Sequence, residues 1–246
     1  MGGASQGSTG ASPWNAGGGE GIPAEALDFL RGLAANNNKA WFEANRATYE
    51  RAVKAPVTAL VAAVSAELAR RDLPFEGDPK RSTFRIHRDT RFSKDKSPYK
   101  TNVGTLWYRQ GGKKPGRGVL YFHLALEGCF AAAAFYQPEP ETLDCIRERI
   151  RVHPGRFLEA QAALARAGLE LSREDMLSRM PRGFEDLKES DVAEALRRRH
   201  FIVRRNFTPE QVHGPGLVAA LVAMAADSLP LLRFGWAAVD EAATAT

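Results

Sequence analysis

The strongest constraint on the fold is a change in hydrophobic periodicity along the chain. From Ile22 to Asp72 the apolar residues recur at helical spacing, whereas several short segments after Pro74 alternate or run apolar in the manner of strands. Helical periodicity returns near Glu139 and continues to the C-terminal part, apart from one strand-like segment, FIVRRNF. Helices, then a block of strands, then helices again predict an α+β fold, because α/β folds alternate strand and helix.

Three amphipathic helices are predicted before the strand block, with Asn residues at 36–38 and Pro56 as their boundaries. Each has one apolar face that we expect to be buried in the core. The first face comprises Ile22, Ala26, Phe29, Leu30 and Leu33, the second Trp41, Phe42, Asn45, Tyr49 and Val53, and the third Val57, Leu60, Val61, Val64 and Leu68.

The strand block predicts an antiparallel sheet of about four to five strands. Its segments are FRIHRDTRF, VGTLWYRQ, GVLYFHLALEG and CFAAAAFYQ, and FIVRRNF adds a later strand. The N-terminal and C-terminal helices are expected to pack on this sheet as one domain, residues 22–242. The Gly/Ser-rich residues 1–20 bury too little apolar surface to offset the entropy of ordering, so we expect a disordered tail.

The positive charge of the chain is concentrated in one region. The 246 residues carry a net charge of +5, but residues 80–117 contain twelve Lys or Arg and two Asp, which gives +10 and leaves −5 for the rest. A local basic patch favours an anionic partner, either a small anionic ligand or a nucleic acid. The alternative is a basic hairpin that is simply solvated.

Several classes of protein receive no support from the sequence. No apolar run is judged long enough to span a bilayer, and the N-terminus lacks the pattern of a secretory signal. Cys129 and Cys145 lack metal-ligand spacing and are expected to be free thiols, which fits a cytoplasmic protein. Phosphate-binding loops and hydrolase or zinc motifs are absent and the histidines are scattered, so we predict neither a cofactor nor a metal.

The segment STFRIHRDTRFSKDKSPYKTN, residues 82–102, holds much of the basic patch. If residues 84–92 form a regular strand, alternate side chains share a face. Arg88 then lies on the mostly apolar face, so we expect it to be buried and paired, with Asp95 as the leading partner. The polar face consists of Arg85, His87, Asp89 and Arg91.

This segment predicts an anion-binding site, because Arg forks bind carboxylates and phosphates bidentately and Lys adds a mobile charge. Tyr99 is expected to position the ligand. Asp89 is the candidate catalytic residue, as base or orienting group, if the protein is an enzyme, which the sequence leaves open. The predicted ligand-binding residues are Arg85, His87, Arg88, Arg91, Asp95, Lys96, Tyr99 and Lys100.

Two other interpretations stay open. In one, the charges form a structural network that locks a turn, with Arg88 paired to Asp95 and Asp89 paired to Arg91 or Lys96. In the other, residues 80–117 bind nucleic acid, and the interleaved aromatic residues Trp107, Tyr108 and Tyr121 stack on bases.

The same segment resembles the signature of an uncharacterised family, domain of unknown function 2461. The pattern Arg-x-x-Arg-Asp-x-Arg-Phe-x-x-Asp/Asn-Lys-x-x-Tyr is matched throughout by RIHRDTRFSKDKSPY, residues 85–99. NNNKAWFEANRATYE, PEPETLDCIRERI and RRRHFIVRRNFTPEQV resemble other parts of the family. One departure is that residues 131–134 are alanines where the family pattern has glycines, which would narrow any nearby ligand space. The resemblance implies no particular reaction.

Overall fold

A computed structural model describes residues 21–112 and 118–244. The predicted tail, residues 1–20, and residues 113–117 of the basic patch lie outside the described residues. The described part has the predicted α+β architecture, in which one antiparallel sheet packs against helices from both ends of the chain.

The N-terminal helices follow the predicted apolar faces. They are α1 (Ala24–Ala35), α2 (Lys39–Ala44), α3 (Arg46–Thr48) and α4 (Ala55–Arg70), with a π-helical turn at Tyr49–Lys54 between the last two. The apolar faces predicted for the first and third helices are entirely buried.

The predicted boundary at Pro56 is wrong, because helical backbone continues from Arg46 to Arg70. Pro56 lies in the first turn of α4, directly after the π-helical turn. A proline removes one backbone donor, and this loss is tolerated where the regular helical hydrogen-bond ladder has just been interrupted.

Five strands form the sheet in sequence order, each antiparallel to the next. They are β1 (Phe75–Glu76), β2 (Asn102–Arg109), β3 (Val119–Ala125), β4 (Cys129–Phe135) and β5 (Phe201–Phe207). The last four confirm the predicted strands. The predicted strand at residues 84–92 is wrong, since this region makes only isolated bridges, at Thr83 and His87.

The C-terminal helices complete the core. They are α5 (Pro140–Val152), α6 (Pro154–Arg166), α7 (Ala193–Leu196), α8 (Pro209–His213) and α9 (Leu217–Thr244). Helix α9 contacts α4, α5, α6 and strand β4, so it links the N-terminal helices to the sheet. The approach is close, because a Cβ atom at Gly235 would lie 2.4 Å from the Phe135 ring.

The two faces of the sheet differ in character. The inner face, which packs on α4 and α9, carries buried side chains such as Trp107, whose Nε1 donates to Ser65 Oγ at 3.2 Å. Strand register places a different set on the opposite face, here called the outer face. This set includes Gly104, Tyr121, His123, Phe130, Arg204 and Asn206.

Two helical stretches, Arg46–Arg70 and Leu217–Thr244, are long and apolar enough to cross a membrane by length and composition alone. This corrects the expectation that no stretch has that length, which treated Pro56 as a helix boundary. Core helices pass the same test, and 56% of the most apolar window of α9 is buried within the fold.

Candidate functional site

Residues 83–100, called the basic segment from here on, fold back on themselves. The Arg88 N–H donates to the Pro98 carbonyl at 2.9 Å, and the Lys100 N–H donates to the Ile86 carbonyl at 2.7 Å. The two halves of the segment therefore pair with each other over only a few residues, which is too short for a regular strand ladder. This is the physical reason why the alternating sequence does not form the predicted strand.

The side-chain faces predicted for a regular strand are consequently not formed. Ile86 is buried, but Phe84 is 46% exposed and Phe92 is 94% exposed, although all three were expected on one apolar face. Alternation in this segment does not report burial, because burial depends on where the irregular backbone directs each side chain.

Asn37 clamps the end of the basic segment to the N-terminal helices. Its side-chain amide donates to the Tyr99 carbonyl at 2.9 Å, and its Oδ1 accepts from the Tyr99 N–H at 3.0 Å. The Tyr99 ring is 3% exposed and stacks on Phe42, with centroids 4.3 Å apart. The Tyr99 ring is thus a core anchor, and the role of Tyr99 in positioning a ligand stays a prediction. His87 is exposed beside the same two rings.

Two arginines in the middle of the segment are neutralised by carboxylates within it, and one lysine there has a carbonyl partner. Arg88 pairs with Asp95, and Arg91 donates to both oxygens of Asp89 at 3.0 and 2.7 Å. Lys96 Nζ donates to the Thr90 carbonyl at 2.9 Å. We call these residues the paired cluster: Arg88, Asp89, Arg91, Asp95 and Lys96.

The expected partner of Arg88 is confirmed, but its expected burial is wrong. The Arg88 side chain is 27% exposed and that of Asp95 is 58% exposed. Arg88 was expected in the core only because a regular strand would have directed it there. An ion pair open to water stabilises far less than a buried one.

The carboxylates of the paired cluster are held in the ionised form. The Arg91 guanidinium, with help from its backbone N–H, lowers the pKa of Asp89. Hydrogen bonds from Ser97 and from Arg88 lower the pKa of Asp95. A general base at neutral pH works best with a pKa near 7, so Asp89 is better suited to orienting Arg91 than to accepting a proton.

Arg85 and Lys100 differ from the paired cluster. Within residues 21–112 and 118–244, neither side chain makes an ion pair or a hydrogen bond. Burial lowers the pKa of Lys100, and the positive charge of Arg85 lowers it further, so the two cations are close enough to repel each other. Lys100 Nζ lies 5.3 Å from the centre of the Phe84 ring.

Beside this cation pair, a row of rings crosses the outer face. Phe84 lies 6.4 Å from Tyr121, whose hydroxyl is 2.8 Å from His123 Nδ1. His123 stacks on Phe130 at 4.8 Å, and Arg204 lies 5.2 Å from the centre of the Phe130 ring. We call Phe84, Tyr121, His123 and Phe130 the ring row. A cation lies at each end of it, Lys100 at one and Arg204 at the other.

Gly104 permits the contact between the basic segment and the outer face. A Cβ atom at this position would lie 2.6 Å from the Tyr121 hydroxyl and 3.0 Å from Phe84 Cδ2. The Phe84 N–H also donates to the Gly104 carbonyl at 2.9 Å. The absence of a side chain in β2 therefore lets Phe84 approach the ring row.

The polar groups of the ring row are neutral at physiological pH. Burial, with the nearby Tyr136, raises the pKa of Tyr121 to about 12. Burial also lowers the pKa of His123, against the opposing effect of Glu127. Their contact therefore joins a hydroxyl to an uncharged imidazole, and both can offer hydrogen bonds to a ligand without adding charge.

Sequence reasoning missed most of the ring row. Tyr121 was considered only for nucleic acid, together with Trp107, which is wholly buried on the inner face and cannot stack on a base. The available signal was the spacing of Tyr121 and His123, two residues apart on one strand. Phe130 and Arg204 join them only through strand register, which a single sequence does not give.

The alanines at 131–134 divide between the two faces of the sheet. Ala132 lies on the outer face between Tyr121 and Arg204 in the register, and Ala134 shares that face. Ala131 and Ala133 lie on the inner face and are fully buried. The departure from the family pattern therefore adds at most small methyl groups beside the ring row.

The comparisons with known proteins identify a family and no activity. A family model described as a conserved hypothetical protein (DUF2461) matches residues 25–234. No curated protein and no solved structure matches the chain. The matched region includes every helix and strand from β1 to α8, the basic segment and the ring row. The chain therefore belongs to the DUF2461 family, as its sequence signature indicated.

Proposed function

We propose that the protein binds a small anionic ligand, of the phosphate or carboxylate class, at Arg85 and Lys100. The observation that carries this proposal is the contrast in charge pairing within one segment. Arg88 and Arg91 have carboxylate partners, whereas Arg85 and Lys100 make no ion pair among the described residues. The hydrogen bond from the Lys100 N–H to the Ile86 carbonyl brings their two stretches of backbone together. An anion between these two cations would relieve their repulsion.

The chemistry of the two side chains suits such a ligand. Arg85 offers a planar fork of donors for two oxygens, and Lys100 offers a point charge on a flexible stem. Each charge-assisted hydrogen bond contributes about 1.5–3 kcal/mol, so a few of them reach micromolar affinity after the entropy of association is subtracted. The neutral Tyr121 hydroxyl is a further hydrogen-bonding group near Phe84.

In this proposal the remaining predicted residues have supporting roles. The paired cluster and the Asn37 clamp fix the backbone that carries Arg85 and Lys100. The contacts of the paired cluster also agree with the alternative in which the charges only lock a turn. The two alternatives differ at Arg85 and Lys100, because a network of ion pairs that only locks a turn does not require cations outside those pairs. No reaction is proposed.

Binding of nucleic acid is the second candidate, and the ring row is the observation that favours it. Partly exposed aromatic side chains on a sheet face, with cations at both ends, resemble surfaces that bind single strands. Such binding weakens steeply with salt, because each phosphate contact releases counterions. A small-ligand site depends far less on salt.

The test is thermal denaturation at constant ionic strength with inorganic phosphate, acetate, citrate and ribose 5-phosphate. Wild type is compared with Arg85→Ala, and Arg91→Ala is the matched control, since Arg91 comes from the same segment but donates its fork to Asp89. We expect at least one anion to stabilise wild type and Arg91→Ala, and to have little effect on Arg85→Ala. If chloride at equal ionic strength stabilises wild type as much as every anion, the proposal is wrong.

A further inference from the structure

We infer that the ligand is a nucleoside monophosphate, with its phosphate at Arg85 and Lys100 and its base against the ring row. This inference rests on the proposed function and adds the chemical class of the ligand. Three features of the outer face lead to it: the charge at one end, the rings in the middle, and a polar cavity at the other end.

The end of the outer face next to β5 opens into a cavity of 420 Å³. Register places Ile202, Arg204 and Asn206 on the outer face, and all three line this cavity. Glu170 and Glu174 line it as well. The cavity therefore combines cationic and amide donors with carboxylate acceptors, whereas Arg85 and Lys100 offer only donors.

This difference orients the ligand. Glutamates repel a phosphate but accept hydrogen bonds from the exocyclic amino group of a base, and Arg and Asn donate to ring nitrogens and carbonyls of a base. A phosphate thus fits the Arg85 and Lys100 end, and the polar edge of a base fits the β5 end. A polymer would have to carry further phosphates past Arg204 toward Glu170 and Glu174, which is unfavourable.

The ring row lies between these ends and is suited to a planar group. It runs from Phe84 above β2 to Phe130 on β4, with Arg204 on β5 beside it. From β2 to β5 the sheet order gives three strand spacings, about 14 Å, so the site is elongated. Aromatic side chains bind bases of any sequence through their π faces and edges.

The experiment is calorimetric titration of the full chain with ribose 5-phosphate and with the common ribonucleoside 5′-monophosphates. These ligands share the phosphate and differ in the base, so the ratio of their dissociation constants isolates the contribution of the base. We expect at least one monophosphate to bind about ten-fold more tightly than ribose 5-phosphate, as expected for one stacked base.

Two variants test where the base lies. Phe130→Leu keeps an apolar side chain but removes the ring, and Arg204→Gln removes the charge at the β5 end. Both are expected to bring the monophosphate affinity close to that of ribose 5-phosphate, whose own affinity is unchanged. Phe92→Leu is the matched control, because Phe92 is 94% exposed and outside the ring row. Arg85→Ala should weaken both ligands.

The outcomes separate this inference from the proposed function. If ribose 5-phosphate binds through Arg85 and every monophosphate binds equally well, the inference is overturned and the proposed function stands. If no phosphate binds, the inference is overturned, and the proposed function stands only if a carboxylate such as citrate binds through Arg85. A single-stranded oligomer of about ten nucleotides that binds more tightly than any monophosphate, with steep salt dependence, overturns the inference in favour of a polymer.

Discussion

The paired cluster and the pair formed by Arg85 and Lys100 lie in one short segment and contain the same kinds of cation. In the paired cluster, each Arg has a carboxylate within the segment and the side chains remain largely solvated. Arg85 and Lys100 have no such partner in the described ranges, and Lys100 is half-buried beside Phe84. The comparison teaches that cations of one motif differ in their ion pairing, and the proposed binding site rests on the two that make no ion pair.

The two parts should also respond to mutation in opposite directions. Removing a charge from the paired cluster breaks a favourable contact and lowers stability. Removing a charge from the Arg85 and Lys100 pair relieves repulsion and leaves the fold intact, at the expense of binding. Such opposition between stability and function is typical of sites that hold uncompensated charge.

The largest expected effect tests the anchor that both parts share. Tyr99→Ala removes a buried ring that stacks on Phe42 and should lower the free energy of unfolding by about 3–5 kcal/mol, measured by denaturant titration. Tyr99→Phe should be nearly neutral in stability and in anion response, since the hydroxyl makes no hydrogen bond in the described part of the chain. Loss of anion response in a stable Tyr99→Phe protein would confirm Tyr99 as a ligand contact.

The next effect concerns the clamp. Asn37→Ala removes both hydrogen bonds to the Tyr99 backbone and leaves those groups half-buried, so we expect a loss of about 2 kcal/mol in the free energy of unfolding. Asn36→Ala is the control, because among the described residues the Asn36 side chain donates only to the Gly32 carbonyl of the preceding helix. Equal losses for the two variants would show that the clamp adds nothing beyond local helix capping.

A smaller effect is expected for Arg88→Ala, with Arg81→Ala as the control because the Arg81 side chain is 88% exposed and its Nε lies 3.8 Å from Asp78 Oδ2, too far for a hydrogen bond. Contact with Ser97 and Arg88 lowers the pKa of Asp95 from its usual 3.8. This contribution to stability is complete above that value and is lost as the pH falls below it. The gap in melting temperature between wild type and Arg88→Ala should therefore be largest near neutral pH and shrink in acid. A gap that persists below the native pKa of Asp95 would contradict the pairing.

The smallest effect has the opposite sign. Because burial and Arg85 lower the pKa of Lys100, its charged form is penalised on folding, and that penalty is present at neutral pH. Lys100→Met should raise the melting temperature slightly at pH 7, and the gain should vanish as the pH approaches 10.5, the usual pKa of a lysine. Lys96→Met is the matched control and should be neutral or destabilising, since Lys96 donates to Thr90. A destabilised Lys100→Met would remove the distinction between the two parts.

The helices and four of the strands were predictable because their buried positions recur at a regular spacing along the sequence. The apolar residues of α4, for example Val57, Leu60 and Val64, recur at helical spacing and are all buried. The alternation in VLYFHLA reports the two faces of β3 directly. In each case the element is regular for several residues, so the period of the sequence matches the period of the backbone.

The basic segment was not predictable, because its backbone does not follow the period of its sequence. FRIHRDTRF alternates like a strand, but its backbone partners are the Gly104 region and its own return near Pro98. The sequence did indicate that Arg88 pairs with Asp95, because opposite charges so near in the chain meet easily. Which cations stay without a partner depends on tertiary placement, and Arg85 carries no sequence mark that distinguishes it from Arg91.

Helix α9 has a consequence for the synthesis of the chain. Apolar side chains of the inner face, such as Phe135, pack against α9 residues near Gly235, about 100 positions later. At roughly 5–20 residues per second, the ribosome needs on the order of 5–20 s to make that interval. During this time the nascent sheet presents an uncovered apolar face, which is the kind of surface that chaperones bind. A ribosome stalled between β4 and α9 would therefore hold an aggregation-prone intermediate, even though four of the five strands are already made.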